Sequence, residues 1–236
     1  MKAFLVRLFF IISITISVSS GLARAEDTTW ESMGFQDGVA MFRKEVPGSS
    51  VVAFRGEGMI DAPLSKVASV VMDCDRTKEW VHQLVQCTIV KKLNTYEFIV
   101  QNHLGMPAFL TDRDFVSHTK ITVDPQKKFI YVVMDSIDVP EAPVKDFVRG
   151  QLHGEWKIES RENGTKTFVS AEMHGDPKGS VPKWLVNLFQ KAWPTNTFGG
   201  LRKQVLKADL KMIPKIAEIL GVTVSPSTGS SPAPGL

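Results

Sequence analysis

The sequence predicts an α+β protein: an antiparallel sheet with a long helical region at its C-terminal end. Three observations carry this reading. Seven segments between residues 51 and 175 are rich in β-branched and aromatic residues with partial alternation. Two short helical patterns fall near 64–71 and 78–84, and after residue 180 the pattern becomes helical through to residue 220. Consecutive strands followed by a terminal helix pair antiparallel, and the helix must bury its apolar side on the sheet.

The chain opens on Lys2 and Arg7, followed by Leu8 to Ser20 without a charge and by Ala23-Arg24-Ala25, a small-x-small cleavage pattern. The apolar run is shorter than the ~20 residues that span a bilayer. Residues 1–25 therefore read as a signal peptide, and the mature protein is expected to begin at Glu26, periplasmic or secreted. The 28 Lys and Arg outnumber the 25 Asp and Glu only because of Lys2, Arg7 and Arg24, so the mature chain is neutral. Neutrality removes the long-range attraction that nucleic-acid binding needs. Residues 222–236, uncharged and rich in Pro, Ser and Gly, read as a flexible tail, leaving one domain over 26–221.

Leu64, Val67, Ala68 and Val71 recur at helical spacing behind Asp61 and Pro63, and a second short helix near 78–84 would bury Trp80. The strands are expected at 51–60, 86–93, 95–104, 113–123, 128–136, 146–160 and 165–175. Asn163-Gly164 suits a two-residue turn, and the register it sets opposes Trp156 to Ala171 and Ile158 to Val169. The other face then carries His153 opposite His174 and Glu155 opposite Glu172. These four residues read as a solvated face, with a metal site as the minority alternative. The last helical pattern runs Val181, Trp184, Leu185, Leu188, Phe189, Ala192, Trp193, with Ser180 as N-cap. Pro194 is expected to interrupt it, and a second stretch to run from Thr195 to Leu220, bent near Pro214.

Catalytic signatures are missing: the sequence has no GxSxG, HExxH, Walker loop or GxGxxG. Ser180-Val181-Pro182-Lys183 matches SxxK without its companion motifs. No catalytic residue, metal ligand or cofactor is therefore expected. Cys74 and Cys87 stand thirteen positions apart, outside any zinc or CxxC pattern, and read either as a structural disulfide or as two buried thiols. Leu104 to Thr111 is an uncharged, mostly apolar stretch with Gly105 and Pro107, either buried packing or a gate over an apolar cavity. On the preceding strand, Ile99, Gln101 and His103 share one face, while Phe98, Val100 and Leu104 point the other way.

Several motifs, in this order and spacing, resemble the START family of lipid-transfer domains in its bacterial, exported form. They are Asp73-x-Asp75-x4-Trp80-Val81, Asp112-Arg113-Asp114-Phe115-Val116, Gly154-x-Trp156 and the run from His174 to Asn187, and the match extends from about Trp30 to Gly221. The resemblance implies a helix-grip fold: a curved antiparallel β-sheet wrapped around a long C-terminal helix and enclosing an apolar cavity. It further implies binding, and carrying, of one lipid or sterol-like molecule by a monomer with transient membrane contact. The 104–111 loop takes the position of the family's gating loop. Arg113 falls on an Arg-Asp-Phe motif whose Arg, in some members, faces the cavity and pairs with an acid on the neighbouring strand. That strand offers Gln101 and His103 instead. The expected ligand residues are Gln101, His103, Met106, Phe109, Arg113, Leu185, Phe189, Trp193 and Phe198, with Arg113 and His103 as the polar end. The alternatives are a cyclase- or hydrolase-like enzyme using the same cavity, and an envelope scaffold.

Overall fold

Ten strands form one sheet that curls around a C-terminal helix. The computed structural model describes residues 29–220 except Ala108 and Lys145, with the side chains of Lys183, Phe189, Gln190, Lys215 and Ala217 also left aside. The expected signal peptide and tail lie outside the described residues. In chain order the elements are β1 (Glu31–Gln36), β2 (Val39–Lys44), β3 (Ala53–Ile60), α1 (Leu64–Met72), a 3-10 segment (Cys74–Glu79), β4 (Leu84–Lys92), β5 (Glu97–Leu104), β6 (Arg113–Asp124), β7 (Phe129–Ser136), β8 (Val148–Arg149), β9 (Gln151–Arg161), β10 (Lys166–Asp176), α2 (Lys183–Gln204) and α3 (Pro214–Ile219). The sheet order is β1-β2-β3-β10-β9-β7-β6-β5-β4, antiparallel throughout, with the short β8 added parallel to β6. This is the helix-grip arrangement expected above.

The β9–β10 register follows the sequence expectation. Trp156 opposes Ala171, Ile158 opposes Val169, and His153 opposes His174. The turn itself is wider than a two-residue connection: Arg161 pairs with Lys166, and Glu162, Asn163 and Gly164 between them are all at positive φ. The two histidines turn to different protein partners. His174 Nε2 is directed at Ser49 Oγ and the Val51 carbonyl, while His153 pairs with Asp135 at 2.7 Å.

The helical expectations need four corrections, one being that the stretch expected to run from Thr195 to Leu220 stops at Gln204 and resumes only over Pro214–Ile219. The second early helix is a 3-10 segment displaced toward Cys74, and a disulfide joins Cys74 to Cys87 on β4. No side chain caps α2, whose N-cap position is Pro182 rather than Ser180. Pro194 does not end the helix, which continues to Gln204. An internal proline costs a helix about 3 kcal/mol, and burial against the sheet offsets it here. Pro194 sits on Gly56 so closely that a β-carbon at 56 would lie 2.8 Å from its ring, and Phe198 occupies the same bare backbone beside Gly56 and Gly58. Two glycines in β3 thus let α2 lie directly on the sheet. β1 and β2 are additions to the expected strands, joined by a tight Asp37-Gly38 turn at positive φ.

The core lies between the concave face of the sheet, α1 and the second half of α2. It contains Val39, Ile60, Val67, Ile130, Ile158, Val169, Phe198, Leu201 and Val205, all fully buried or nearly so. This solid core fills one part of the grip and leaves the part under β4–β7 open.

Candidate functional site: an apolar cavity with one buried arginine

A cavity of about 550 Å3 lies between α2, the Trp80 segment and the concave face of β4–β7, β9 and β10. Strand alternation determines who faces it. From β5 come Phe98, Val100, Asn102 and Leu104, from β6 Phe115, Thr119 and Ile121, and from β7 Val132 and Met134. Three indoles wall the opposite end: Trp156 meets Trp80 edge-on at 6.0 Å between ring centroids and Trp193 edge-on at 6.3 Å. The Cys74–Cys87 disulfide is itself part of the wall. Such a lining offers apolar surface at about 25 cal/mol per Å2 and few directional contacts.

Arg113 is the buried charge of the lining, whereas Lys92, which also borders the cavity, is exposed. Arg113 is only 3% exposed, and it lines the cavity from the start of β6. Its Nε donates to the Pro177 carbonyl at 3.2 Å, Nη2 to the Lys178 carbonyl at 3.3 Å, and Nη1 to the Thr111 carbonyl. Among the described residues no carboxylate forms an ion pair with it. Burial pushes its pKa down, and the Asp112 charge opposes that shift without making contact. A guanidinium held by carbonyls alone keeps its full positive charge facing apolar space, a costly arrangement unless an anion joins it.

The two neighbouring acids are engaged elsewhere. Asp114 accepts from Arg149 Nη2 at 2.7 Å and from Gln101 Nε2 at 2.9 Å on the far side of the sheet. Burial alone would raise the Asp114 carboxyl, but Arg149 and Gln101 hold it below the usual carboxylate range. Asp112 accepts from the Met106 backbone N–H and pairs with His103 Nε2, each at 2.8 Å. These two hydrogen bonds, Met106 first, lower its pKa.

Met106, Arg113 and Trp193 line the cavity. Gln101 and His103 do not, because their parity on β5 places them on the opposite face. There His103 stacks on Phe147 at 4.1 Å and, through Asp112, anchors the loop instead of forming the polar end. Phe109 is 75% exposed and stands outside the cavity. Leu185 is buried without lining it, its neighbour Val186 taking that place, and Phe198 is spent on the β3 glycines. The Phe189 side chain lies outside the described residues. Trp184 and Leu188, expected to face inward, are 68% and 55% exposed. Asn102 and Thr197 are cavity residues that the sequence reading passed over. The Phe98-Val100-Leu104 alternation was the available signal for Asn102, and helical spacing from Trp193 the signal for Thr197.

A sheet curled around a terminal helix, with an apolar chamber between them, defines a hydrophobic-ligand-binding class. The chain belongs to the START domain family, whose profile matches residues 16–204. A relative, the uncharacterized protein PA1579 of Pseudomonas aeruginosa, is 30% identical over 190 residues, covering 80% of this chain and 91% of the relative. Among solved structures, human StAR-related lipid transfer protein 5 superposes with a TM-score of 0.69 at 22% identity, over 76% of this chain and 88% of its own. A STAR-related lipid transfer protein fragment from Xanthomonas axonopodis gives 0.66 at 24% identity, over 75% and 99%. These two likenesses establish the shared fold.

Proposed function

We propose that the protein is a stoichiometric, non-catalytic carrier that holds one lipid-like molecule in this cavity and moves it within the cell envelope or outside the cell. The observation that carries the reading is Arg113: a buried cation with no carboxylate paired to it among the described residues, in a chamber lined mostly by apolar side chains. An acyl chain gains about 0.8 kcal/mol per buried CH2, so the chamber needs no other polar contact for affinity. A carboxylate or phosphate head would complete the guanidinium. The apolar wall, with no nucleophile or acid–base pair set against Arg113, suits carriage better than chemistry.

Several features support the surrounding proposals. The N-terminal pattern favours export, where a disulfide such as Cys74–Cys87 persists. The loop following β5 is the gate, with Met106 inside and Phe109 outside. Exposed Trp184, Leu188 and Phe109 suit brief contact with a bilayer by a monomer. The test is vesicle-to-vesicle transfer of a fluorescent fatty acid. The mature protein should accelerate transfer and return the probe chemically unchanged. Conversion of the probe to a product would instead make the protein an enzyme.

A further inference from the structure

We propose that the cavity holds a second polar recognition point, formed by Trp80 Nε1 and Thr197 Oγ1 at the end away from Arg113. It takes a hydroxyl or carbonyl oxygen on the far end of the ligand. This deepens the carrier reading and rests on it.

Both groups are buried, Trp80 at 6% exposure and Thr197 at 0%, and both residues line the cavity. Among the described residues neither Nε1 nor Oγ1 has a hydrogen-bond partner. Buried polar atoms are ordinarily satisfied, and leaving one unpaired costs more than a typical bond returns. A helical threonine usually resolves this by bonding a carbonyl of the preceding turn. Thr195 does so, donating to the Ala192 carbonyl at 3.2 Å, whereas Thr197 does not.

The two groups belong to one end of the chamber. Gly200 lies three residues beyond Thr197 on the same helix face, and a β-carbon there would overlap the Trp80 carbonyl oxygen, so this face of α2 lies against the Trp80 segment. Trp80 also packs on Trp156, Trp156 packs on Trp193, and Trp193 precedes Thr197 by one turn. On β10, Ala171 opposes Trp156, while Pro177, just beyond the strand, receives the Arg113 hydrogen bond. Six residues of extended chain place these positions roughly 20 Å apart.

The donor set fits a single oxygen. Indole N–H only donates, and the threonine hydroxyl donates or accepts. A ligand hydroxyl accepts from Trp80 and donates to Thr197, and a carbonyl accepts from both. A plain methyl terminus satisfies neither. The ligand class is therefore a long amphiphile with an acid at one end and an oxygen function at the other.

Titration calorimetry of the mature protein with dodecanoic, tetradecanoic and hexadecanoic acids, and with their ω-hydroxy counterparts, tests this. At the best-fitting length, the ω-hydroxy acid should bind at least as tightly as the plain acid. Thr197→Val should weaken the ω-hydroxy acid roughly tenfold relative to the plain acid, and Thr197→Ser should restore that ratio. Trp80→Phe removes the other donor together with part of the ring that packs on Trp156, so it should weaken both acids, the ω-hydroxy acid more. If the plain acids bind more tightly at every length, or the variants shift both acids equally, the subsite falls and the carrier reading stands. If no acid of either kind binds, both fall together.

Discussion

Arg149 Nη2 lies 2.7 Å from Asp114 Oδ2, so the acid next to Arg113 in sequence is committed to a different arginine. The carboxylate is almost fully buried, and its partner's side chain is 14% exposed. Breaking such a pair leaves an uncompensated buried charge. Arg149→Met should therefore cost about 3–5 kcal/mol in urea denaturation. Replacing both residues at once, Asp114→Leu with Arg149→Met, should recover much of that loss. A double variant no better than the single one would contradict the pairing.

Arg113 carries the ligand's polarity. Arg113→Gln removes the charge and keeps hydrogen-bond donors for the Pro177 and Lys178 carbonyls. Affinity for hexadecanoic acid should fall about tenfold or more, on the scale of a charged hydrogen bond, while affinity for hexadecanol should hardly change. Competitive displacement of a fluorescent probe by the two ligands reads this ratio directly. An equal loss for both would mean that Arg113 only holds the β10–α2 connection in place.

The loop after β5 is tied down by Asp112, and the tie depends on pH. The folded-state pKa of Asp112 is held below its ordinary 3.8 by the Met106 N–H and His103. The sign follows: its contribution is complete above 3.8 and is lost as pH falls through the lower folded value. Hydrogen exchange should show the Met106 amide protected at neutral pH and exposed in strong acid. In Asp112→Ala that amide should exchange fast at neutral pH already. Undiminished protection in the variant would remove Asp112 as the anchor.

Much of the sheet is legible in the chain, and the exceptions have physical reasons. The β9–β10 pairing can be counted from Asn163-Gly164 because alternation over eleven residues permits one register with Trp156, Ile158, Val169 and Ala171 inward. The β1–β2 hairpin is harder to see. Asp37-Gly38 signals it, but β1 is almost wholly exposed and supplies no alternation to confirm the turn. Pro194 misleads in the opposite direction, because the packing on Gly56 that outweighs its cost comes from a strand 138 positions away. In the site, the alternation of β5 separates Gln101 and His103 from the cavity, although both are expected to contact the ligand, His103 together with Arg113 as the polar end. The side chains follow the alternation. Trp80 and Thr197 could be placed on helical segments, yet their convergence depends on how α2 crosses the 3-10 segment, which no local pattern encodes.

The Cys74–Cys87 bridge ties the 3-10 segment that leads into Trp80 to the edge strand β4. A loop of this size contributes about 3 kcal/mol, chiefly by restricting the unfolded chain. The Cys74→Ala, Cys87→Ala double variant should lose stability on that scale and bind lipid more weakly, since both residues belong to the cavity wall. Thermal unfolding with and without reductant gives the same comparison in the unmodified protein. Two alkylatable thiols in protein taken from its own compartment would show that the bridge does not form there.

Occupancy of the cavity tests the carrier account most directly. Native mass spectrometry of the mature protein, purified gently from its own cells, should show one hydrophobic molecule bound per chain, released intact by denaturation and carrying an acidic group. The Arg113→Gln variant should arrive largely empty. A protein that is empty in both forms and takes up no acid or alcohol when offered one would contradict the account.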